Sequence, residues 1–438
     1  MFIFRYCLAL VGLVIATVWP FDARAQPAGV VAHWHEASQI LVHQPGEEVF
    51  PGLLHPAAAL FADTFSLEGA AAEHRQFVRI LENQGAVEVI NVVDVLLAGT
   101  ENPQSQAHRA LVELAKHMTT IDVSRLNPQQ QKAQRAYFDE TLAKMAPTTL
   151  VRMVLQRPTV ILRYGKCGAS EQEDCVLADY RVNPLMNLYF TRDQMITTSR
   201  GVVVGRMANP QRAAEREVMK FVLGKLGIEP IYEVSRRGRL EGGDFFPAGE
   251  RAFIGQGLRT NAIAIRELLE HDVFGTGEVI VVKDAWQNSQ EMHLDTYFNL
   301  LDRDLALLVA DRHVRDCDVH QNAKCLKADV WIRNARGTYE LVRKNIDFVR
   351  LLDEYGIRVI PVSVEDQRAY GINVLTMGPR RIVGAEGSSQ AYKKALAEAS
   401  VQATWVSFDN LERGYGSADC MTQVLRRKLP RKVPAASR

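Results

Sequence analysis

The chain has 438 residues, and its 52 basic and 51 acidic side chains leave a formal net charge of +1. This balance argues against nucleic acid or an anionic membrane surface as the main partner, because both attract strongly basic proteins. The composition is otherwise that of an ordinary folded protein, with 47% hydrophobic residues.

The first 25 residues have the layout of a secretory signal peptide. Arg5 precedes an apolar run over residues 7–19, and Ala23-Arg24-Ala25 is a small-x-small cleavage site. The run is too short to span a bilayer, and no other segment approaches roughly 20 consecutive apolar residues. We therefore expect an exported protein, periplasmic or secreted, without stable membrane insertion.

From residue 38 onward, a strand–helix–strand pattern recurs five times. The predicted elements are residues 39–43, 68–84 and 87–93; 201–206, 211–226 and 230–234; 251–255, 261–271 and 279–282; 305–310, 339–355 and 358–362; and 381–385, 390–399 and 403–408. Repeated units of one shape indicate a closed circular arrangement with ligand loops near its axis.

A different region separates the first unit from the second. Residues 106–145 are predicted to be helical throughout, apart from a break at Asn127-Pro128 that begins the second helix. We interpret this region as an inserted helical subdomain.

Four cysteines form two pairs with one spacing. Cys167 and Cys175 are eight residues apart in a polar segment, and so are Cys317 and Cys325. In an oxidising compartment, such pairs predict local disulfides that staple long loops. A zinc site that adds His320 to the second pair is the alternative, but it lacks an evident fourth ligand.

One cysteine is then left over in the mature chain. Cys420 lies in the glycine-rich turn of residues 413–421, which can bring a side chain close to a ligand. A free cysteine is commonly a small buried hydrophobe. An odd cysteine in an exported protein is nevertheless a candidate reactive thiol.

Three polar motifs lie where the repeated units join, namely NLYFTRD at 187–193, EGGD at 241–244 and MHLD at 292–295. They carry one histidine and several carboxylates, without a metal-site spacing or a nucleophilic serine motif. Carboxylates around a nucleophilic thiolate suit a substrate that brings its own positive charge and several N–H donors. A guanidinium group is the obvious case.

These three motifs and the RGxGxxxCM of residues 413–421 resemble, in order and spacing, those of bacterial arginine deiminases in the guanidine-modifying superfamily. The resemblance covers about residues 38–425 and includes VHQPG at 42–46 and Glu73-His74. It implies an α/β fold, a five-bladed pseudo-symmetric α/β propeller with an inserted helical subdomain, and no cofactor or metal.

The composition, the predicted elements and the resemblance together suggest domain boundaries. Residues 1–25 would be the signal peptide, residues 26–430 the catalytic propeller, and residues 101–150 the helical insertion within it. The basic end of the chain from Arg426 is interpreted as a frayed, solvated tail, with residues 431–438 flexible.

Catalytic roles follow from the resemblance, residue by residue. Cys420 would attack the guanidinium carbon, and His293 would protonate departing ammonia and then activate water. Asp193 and Asp295 would bind the guanidinium nitrogens, and Glu241 would orient His293 and favour its charged form. A covalent amidino-thioether would form and be hydrolysed.

The resemblance further implies a substrate site for free arginine, with citrulline as the product. Arg212 and Arg259 match carboxylate-binding arginines, which suits a fork-shaped donor. Asn187 and Phe190 match contacts to the amino group and the substrate stem, and Gly414 would line the site.

This sequence departs from the family pattern near the thiol. Tyr415 stands where an arginine is usual, Asp419 replaces a basic residue, and Phe61-Ala62-Asp63 replaces Phe-Asp-Asp. Because Asp419 should raise the pKa of Cys420, we expect substrate-assisted thiol ionisation and an acidic-to-neutral pH optimum.

Three other functions fit the same residues. One is an amidinotransferase, and another is a deiminase of a different guanidino compound or of peptidyl arginine. The third is a protein that only binds a guanidino ligand. A homo-oligomer is possible in each case.

Overall fold

A computed structural model describes residues 28–85, 87–167 and 173–429. The predicted signal peptide and the tail at residues 431–438 lie outside the described residues. No helix in the described part of the chain is both long and apolar enough to cross a membrane.

Twenty strands are formed by the described residues. They are β1 (Ala37–Val42), β2 (Glu88–Asn91), β3 (Thr120–Asp122), β4 (Pro158–Cys167), β5 (Glu173–Val182), β6 (Met195–Thr197), β7 (Val202–Val204), β8 (Tyr232–Glu233), β9 (Phe245–Ala248), β10 (Arg251–Gln256), β11 (Glu278–Asp284), β12 (Phe298–Asp302), β13 (Leu305–Val309), β14 (Leu326–Arg333), β15 (Tyr339–Asp347), β16 (Arg358–Val362), β17 (Leu375–Gly378), β18 (Arg381–Ala385), β19 (Gln402–Val406) and β20 (Gln423–Arg427).

Eleven α-helices accompany these strands within the same described ranges. They are α1 (Phe50–Leu53), α2 (Leu67–Glu82), α3 (Val92–Leu97), α4 (Gln106–Met118), α5 (Pro128–Leu142), α6 (Pro147–Gln156), α7 (Glu215–Lys225), α8 (Ala262–Glu270), α9 (Phe348–Glu354), α10 (Val364–Arg368) and α11 (Gln390–Glu398). Ser, Asn or Asp side chains cap α2, α4, α5, α8, α9 and α11 and accept hydrogen bonds from free N–H groups at the helix start.

Five open sheets share one arrangement, in which a central strand pairs antiparallel with one neighbour and parallel with the other. Their strand orders are β20-β1-β2, β6-β7-β8, β9-β10-β11, β12-β13-β16 and β17-β18-β19. A helix leads from each central strand to its parallel neighbour, which confirms the five predicted strand–helix–strand units. The fold is therefore mixed α/β.

The fourth unit differs from its prediction. Residues 339–355 were expected to form one helix, but Tyr339–Asp347 is β15, and α9 follows only from Phe348. The Asn334 side chain accepts hydrogen bonds from the N–H groups of Arg336 and Thr338 and closes a tight turn after β14. The chain therefore folds back as a hairpin that extends the third sheet.

The region between the first two units is not helical throughout. Strand β3 separates α4 from α5 and pairs with β4 in a sixth sheet, which β5 completes. The expected break is confirmed, because Asn127 begins α5 with a capping box to Gln130. The predicted strand at residues 87–93 ends at Asn91, whose side chain caps α3.

Residues 426–429, which were expected to belong to a frayed tail, are ordered by contacts with the rest of the fold. Strand β20 pairs with β1, so that the first and last strands of the described chain share one sheet. The Arg427 side chain is buried and donates hydrogen bonds to the carbonyls of His35 and Thr376. These contacts explain why two arginines can end a buried strand.

Candidate active site

In each of the five sheets, a polar residue lies shortly before the outer strand that pairs antiparallel with the central strand. Asp193 precedes β6, Glu241 precedes β9, His293 precedes β12 and Cys420 precedes β20. The fifth unit supplies Asn373, which precedes β17 and was not predicted as a site residue. Asn373 could have been identified from the sequence, because it lies shortly before a strand of the fifth unit, as the other site residues do in theirs.

Asn373 fixes the thiol and the turn that carries it. Its Nδ2 lies 3.1 Å from the Sγ atom of Cys420, and its Oδ1 accepts hydrogen bonds from the backbone N–H groups of Ser417 and Cys420. The Cys420 side chain is buried, and it is a free cysteine. One amide side chain therefore sets both the turn and the direction of the thiol.

The surroundings of Cys420 favour the neutral thiol in the absence of substrate. Burial raises its pKa well above the usual range, and Asp295, Asp193 and Asp419 raise it further. The hydrogen bond from Asn373 opposes this shift. Asp419 thus acts in the direction expected from the sequence, while the acidic-to-neutral pH optimum stays a prediction.

His293 is held by a short hydrogen bond to a buried carboxylate. Its Nε2 lies 2.7 Å from Oε2 of Glu241. Its Nδ1 faces the two predicted guanidinium-binding carboxylates, 3.8 Å from Oδ1 of Asp193 and 4.0 Å from Oδ1 of Asp295. Gly243 permits this packing, because a Cβ there would lie 2.7 Å from Nδ1.

The pKa values of His293 and Glu241 are shifted in opposite directions. Burial alone would lower the pKa of His293, but Asp193 and Glu241 outweigh burial and raise it to about 9. Burial alone would raise the pKa of Glu241, but His293, Arg259 and Arg212 lower it to about 2. The resting site therefore holds a charged imidazolium beside a charged carboxylate, which suits a general acid.

Asp193 and Asp295 each keep one buried oxygen without a hydrogen-bond partner. These are the two Oδ1 atoms, which both face His293. Burial raises the pKa of Asp295, whose Oδ2 lies 3.7 Å from the Cys420 Sγ. Unpaired buried acceptors on two carboxylates suit a ligand that brings N–H donors.

The two predicted carboxylate-binding arginines lie at this site but already have acidic partners. Arg212 donates to both oxygens of Glu215 at 2.9 Å and to Asp193 at 2.7 Å. Arg259 lies 3.2 Å from Glu241. Glu215, which the sequence analysis missed, is thus the main partner of Arg212.

A small cavity of about 20 Å³ brings most of the predicted residues together. It is lined by Leu60, Asn187, Phe190, Asp193, Arg212, Arg259, Met292, His293, Gly414, Tyr415 and Cys420. Asn187 donates a hydrogen bond to the carbonyl of Ala59, and a Cβ on Gly414 would overlap the Tyr189 hydroxyl. The Glu241 and Asp295 side chains are fully buried beside these lining residues.

The other four cysteines among the described residues form the two predicted disulfides. Cys167 and Cys175 join at the tip of the β4–β5 hairpin, and Cys317 joins Cys325 in the loop before β14. The second bond rules out the zinc alternative with His320, because both sulfurs are taken. No group of three or more His, Cys, Asp or Glu side chains is placed to hold a metal ion in the described ranges.

Comparisons with known proteins show which family this chain is similar to. The arginine deiminase family matches residues 58–427. Arginine deiminase of Halobacterium salinarum is 25% identical over 484 aligned residues, which cover 90% of this chain and 96% of the relative. Arginine deiminase of Mycobacterium avium is 26% identical over 404 residues, which cover 87% of this chain and 94% of the relative.

Solved structures show the same fold at low sequence identity. The N-terminal domain of ArgZ, an arginine dihydrolase from Cyanobacteria bound to its product, matches with a TM-score of 0.52 and 14% identity. The match covers 89% of this chain and 97% of that one. Together with the family match over most of its length, these findings show that the chain belongs to the arginine deiminase family.

Proposed function

We propose that this protein hydrolyses free L-arginine to L-citrulline and ammonia through a covalent intermediate on Cys420. The observation that carries the proposal is a buried free thiol beside an imidazolium and two carboxylates with unpaired oxygens. A guanidinium group supplies the N–H donors that these oxygens lack. The family match supports the same chemistry.

Binding of the substrate ionises the nucleophile. The guanidinium cation pairs with Asp193 and Asp295, and this offsets the negative charge that raises the pKa of Cys420. The thiol proton then passes to solvent water, because His293 is already protonated. The thiolate forms a bond to the guanidinium carbon, and the resulting tetrahedral intermediate is neutral.

His293 completes both halves of the reaction. It gives its proton to the departing amino group, so that the C–N bond breaks and ammonia leaves an amidino-thioether cation. The neutral imidazole then takes a proton from water, which attacks the same carbon. Collapse of the second tetrahedral intermediate breaks the C–S bond and returns the sulfur as a thiol, with citrulline as the product.

The residues that border the catalytic cavity support free arginine over peptidyl arginine. Arg212 and Arg259 border it, and their fork-shaped donors suit the free α-carboxylate that peptidyl arginine lacks. The family match favours hydrolysis over transfer of the amidino group to an amine. A protein that only binds its ligand would not need a His293–Glu241 pair with separated pKa values.

The remaining expectations belong to this proposal as well. The five similar sheets, each with a polar residue before its antiparallel outer strand, support a five-bladed pseudo-symmetric α/β propeller. The two disulfides support folding in an oxidising compartment, and therefore export to the periplasm or the exterior. The oligomeric state stays an open prediction.

Incubation of the purified protein with L-arginine tests the proposal. We expect citrulline and ammonia in equal amounts, and no citrulline from the Cys420→Ala or His293→Ala variant. Arginine that is consumed only when an amine acceptor is added would instead show an amidinotransferase. Citrulline production by Cys420→Ala would overturn the assignment of the nucleophile.

A further inference from the structure

Arg192 lies between two buried carboxylates. Its Nε atom is 3.3 Å from Oδ2 of Asp295 and 3.3 Å from Oδ2 of Asp419. Its NH2 group donates a hydrogen bond to the carbonyl of Phe245. The Nε atom carries a single hydrogen, so it can serve only one of the two carboxylates at a time.

In the structure, the Nε atom of Arg192 donates a hydrogen bond to neither carboxylate, although both are within ion-pair distance. A cavity of about 20 Å³ borders Arg192, together with His33 and Arg427. This small cavity allows the guanidinium group of Arg192 a slight shift toward Asp295 or Asp419 in an otherwise close-packed interior.

Apart from raising the pKa of Cys420, Asp419 has no role in the mechanism described above. Its side chain is fully buried, and neither of its oxygens has a hydrogen-bond partner. Burial raises its pKa, and the positive charges of Arg192 and Arg427 oppose this effect. A buried carboxylate without hydrogen-bond partners lowers the stability of the folded state, so the presence of Asp419 next to the nucleophile calls for an explanation.

We propose that Asp419 is a positioning residue, which accepts a hydrogen bond from Nε of Arg192 when Asp295 binds the substrate guanidinium. In the free enzyme, Arg192 offsets the charge of Asp295. When arginine enters, two cations would otherwise compete for that one carboxylate. Asp419 draws Arg192 away and leaves Asp295 to the substrate. This inference rests on the proposed function, because it assigns Asp295 to the guanidinium.

The Asp419→Asn variant tests the inference with a nearly isosteric change. Without the charge of Asp419, Arg192 stays with Asp295 and competes with the substrate. Because hydrogen bonds to charged groups are the strong ones, we expect KM for arginine to rise at least about tenfold and kcat to change by less than about threefold. The dissociation constant of arginine should rise equally when Asp419→Asn is added to Cys420→Ala.

A matched control separates positioning from general packing. Asp284 is another buried carboxylate that pairs with an arginine, 2.9 Å from Arg312, and it lies outside the catalytic cavity. Asp284→Asn should lower thermal stability and leave KM unchanged. If Asp419→Asn does not fold, Asp419→Ala removes the same charge with a smaller side chain and should raise KM in the same way.

Each result has one meaning. A raised KM in the Asp419 variant alone supports the inference. An unchanged KM in that variant, or an equal rise in the Asp284 control, overturns it. If the wild-type protein forms no citrulline from arginine, the proposed function fails, whereas the arginine affinities of the Cys420→Ala pair still report on Asp419.

Discussion

The pH dependence of the reaction should be set by the pairing of Glu241 with His293. The two side chains are joined by a 2.7 Å hydrogen bond, and the pKa of His293 is raised to about 9. Glu241→Gln keeps the shape of the side chain and removes its charge. The variant therefore isolates what the carboxylate contributes to the imidazolium.

The size of the effect follows from Coulomb's law. With their charge centres about 4 Å apart and an effective dielectric constant of about 20, two unit charges interact by about 4 kcal/mol. One pKa unit corresponds to about 1.4 kcal/mol, so loss of the Glu241 charge should lower the pKa of His293 by about three, to near 6. Above that pH the general acid of the variant would be largely neutral.

The assay is the pH profile of kcat/KM for citrulline formation, which reports the ionisation of the free enzyme. The alkaline limb should lie near pH 9 in the wild-type protein and move to about pH 6 in Glu241→Gln. Glu48→Gln is the matched control, because Glu48 forms a buried pair with His43 outside the catalytic cavity. The reasoning would be refuted by a Glu241→Gln profile with its alkaline limb still near pH 9.

Three further outcomes are expected. Asn373→Ala should lower kcat roughly 10- to 100-fold at nearly unchanged KM, because a buried thiol loses its hydrogen bond; a KM effect alone would contradict this. Tyr415 has φ +69° and borders both the catalytic cavity and a neighbouring cavity of about 700 Å³. Tyr415→Gly should therefore speed alkylation of Cys420 by iodoacetamide, and an unchanged rate would argue against it. The raised pKa of His293 stabilises the folded state fully below the unfolded-state pKa of about 6.5, and this stabilisation is lost as the pH rises through about 9. Urea unfolding of the wild type and of His293→Ala across this range should show the difference between their free energies of unfolding shrink as the pH rises.

Local sequence patterns were sufficient to predict most of the repeated units. Glycines after helices, Asn or Ser at helix starts and short apolar strands each act over a few residues, and they gave β10, α8 and β11 nearly to their ends. The prediction was wrong over residues 339–347, because a hairpin there depends on the turn held by Asn334 and on pairing with β14. Pairing partners distant in sequence override local preference.

The active-site residues were also predicted, but largely because their motifs resemble those of a family. Contacts that join units distant in sequence could not be predicted in this way. Asn373 contacts Cys420 across 47 residues, and Arg192 reaches Asp419 from a different unit. The burial of Arg427 was missed for the same reason, since its acceptors belong to His35 and Thr376.

The most direct test of the account is detection of the covalent intermediate. Rapid acid quenching of the protein with excess L-arginine, followed by intact-protein and peptide mass spectrometry, should show an adduct on Cys420 with the mass of arginine less ammonia. The adduct should be absent from Cys420→Ala. Citrulline formation by a wild-type protein that shows no such adduct at any quench time, or by the Cys420→Ala variant, would contradict the account.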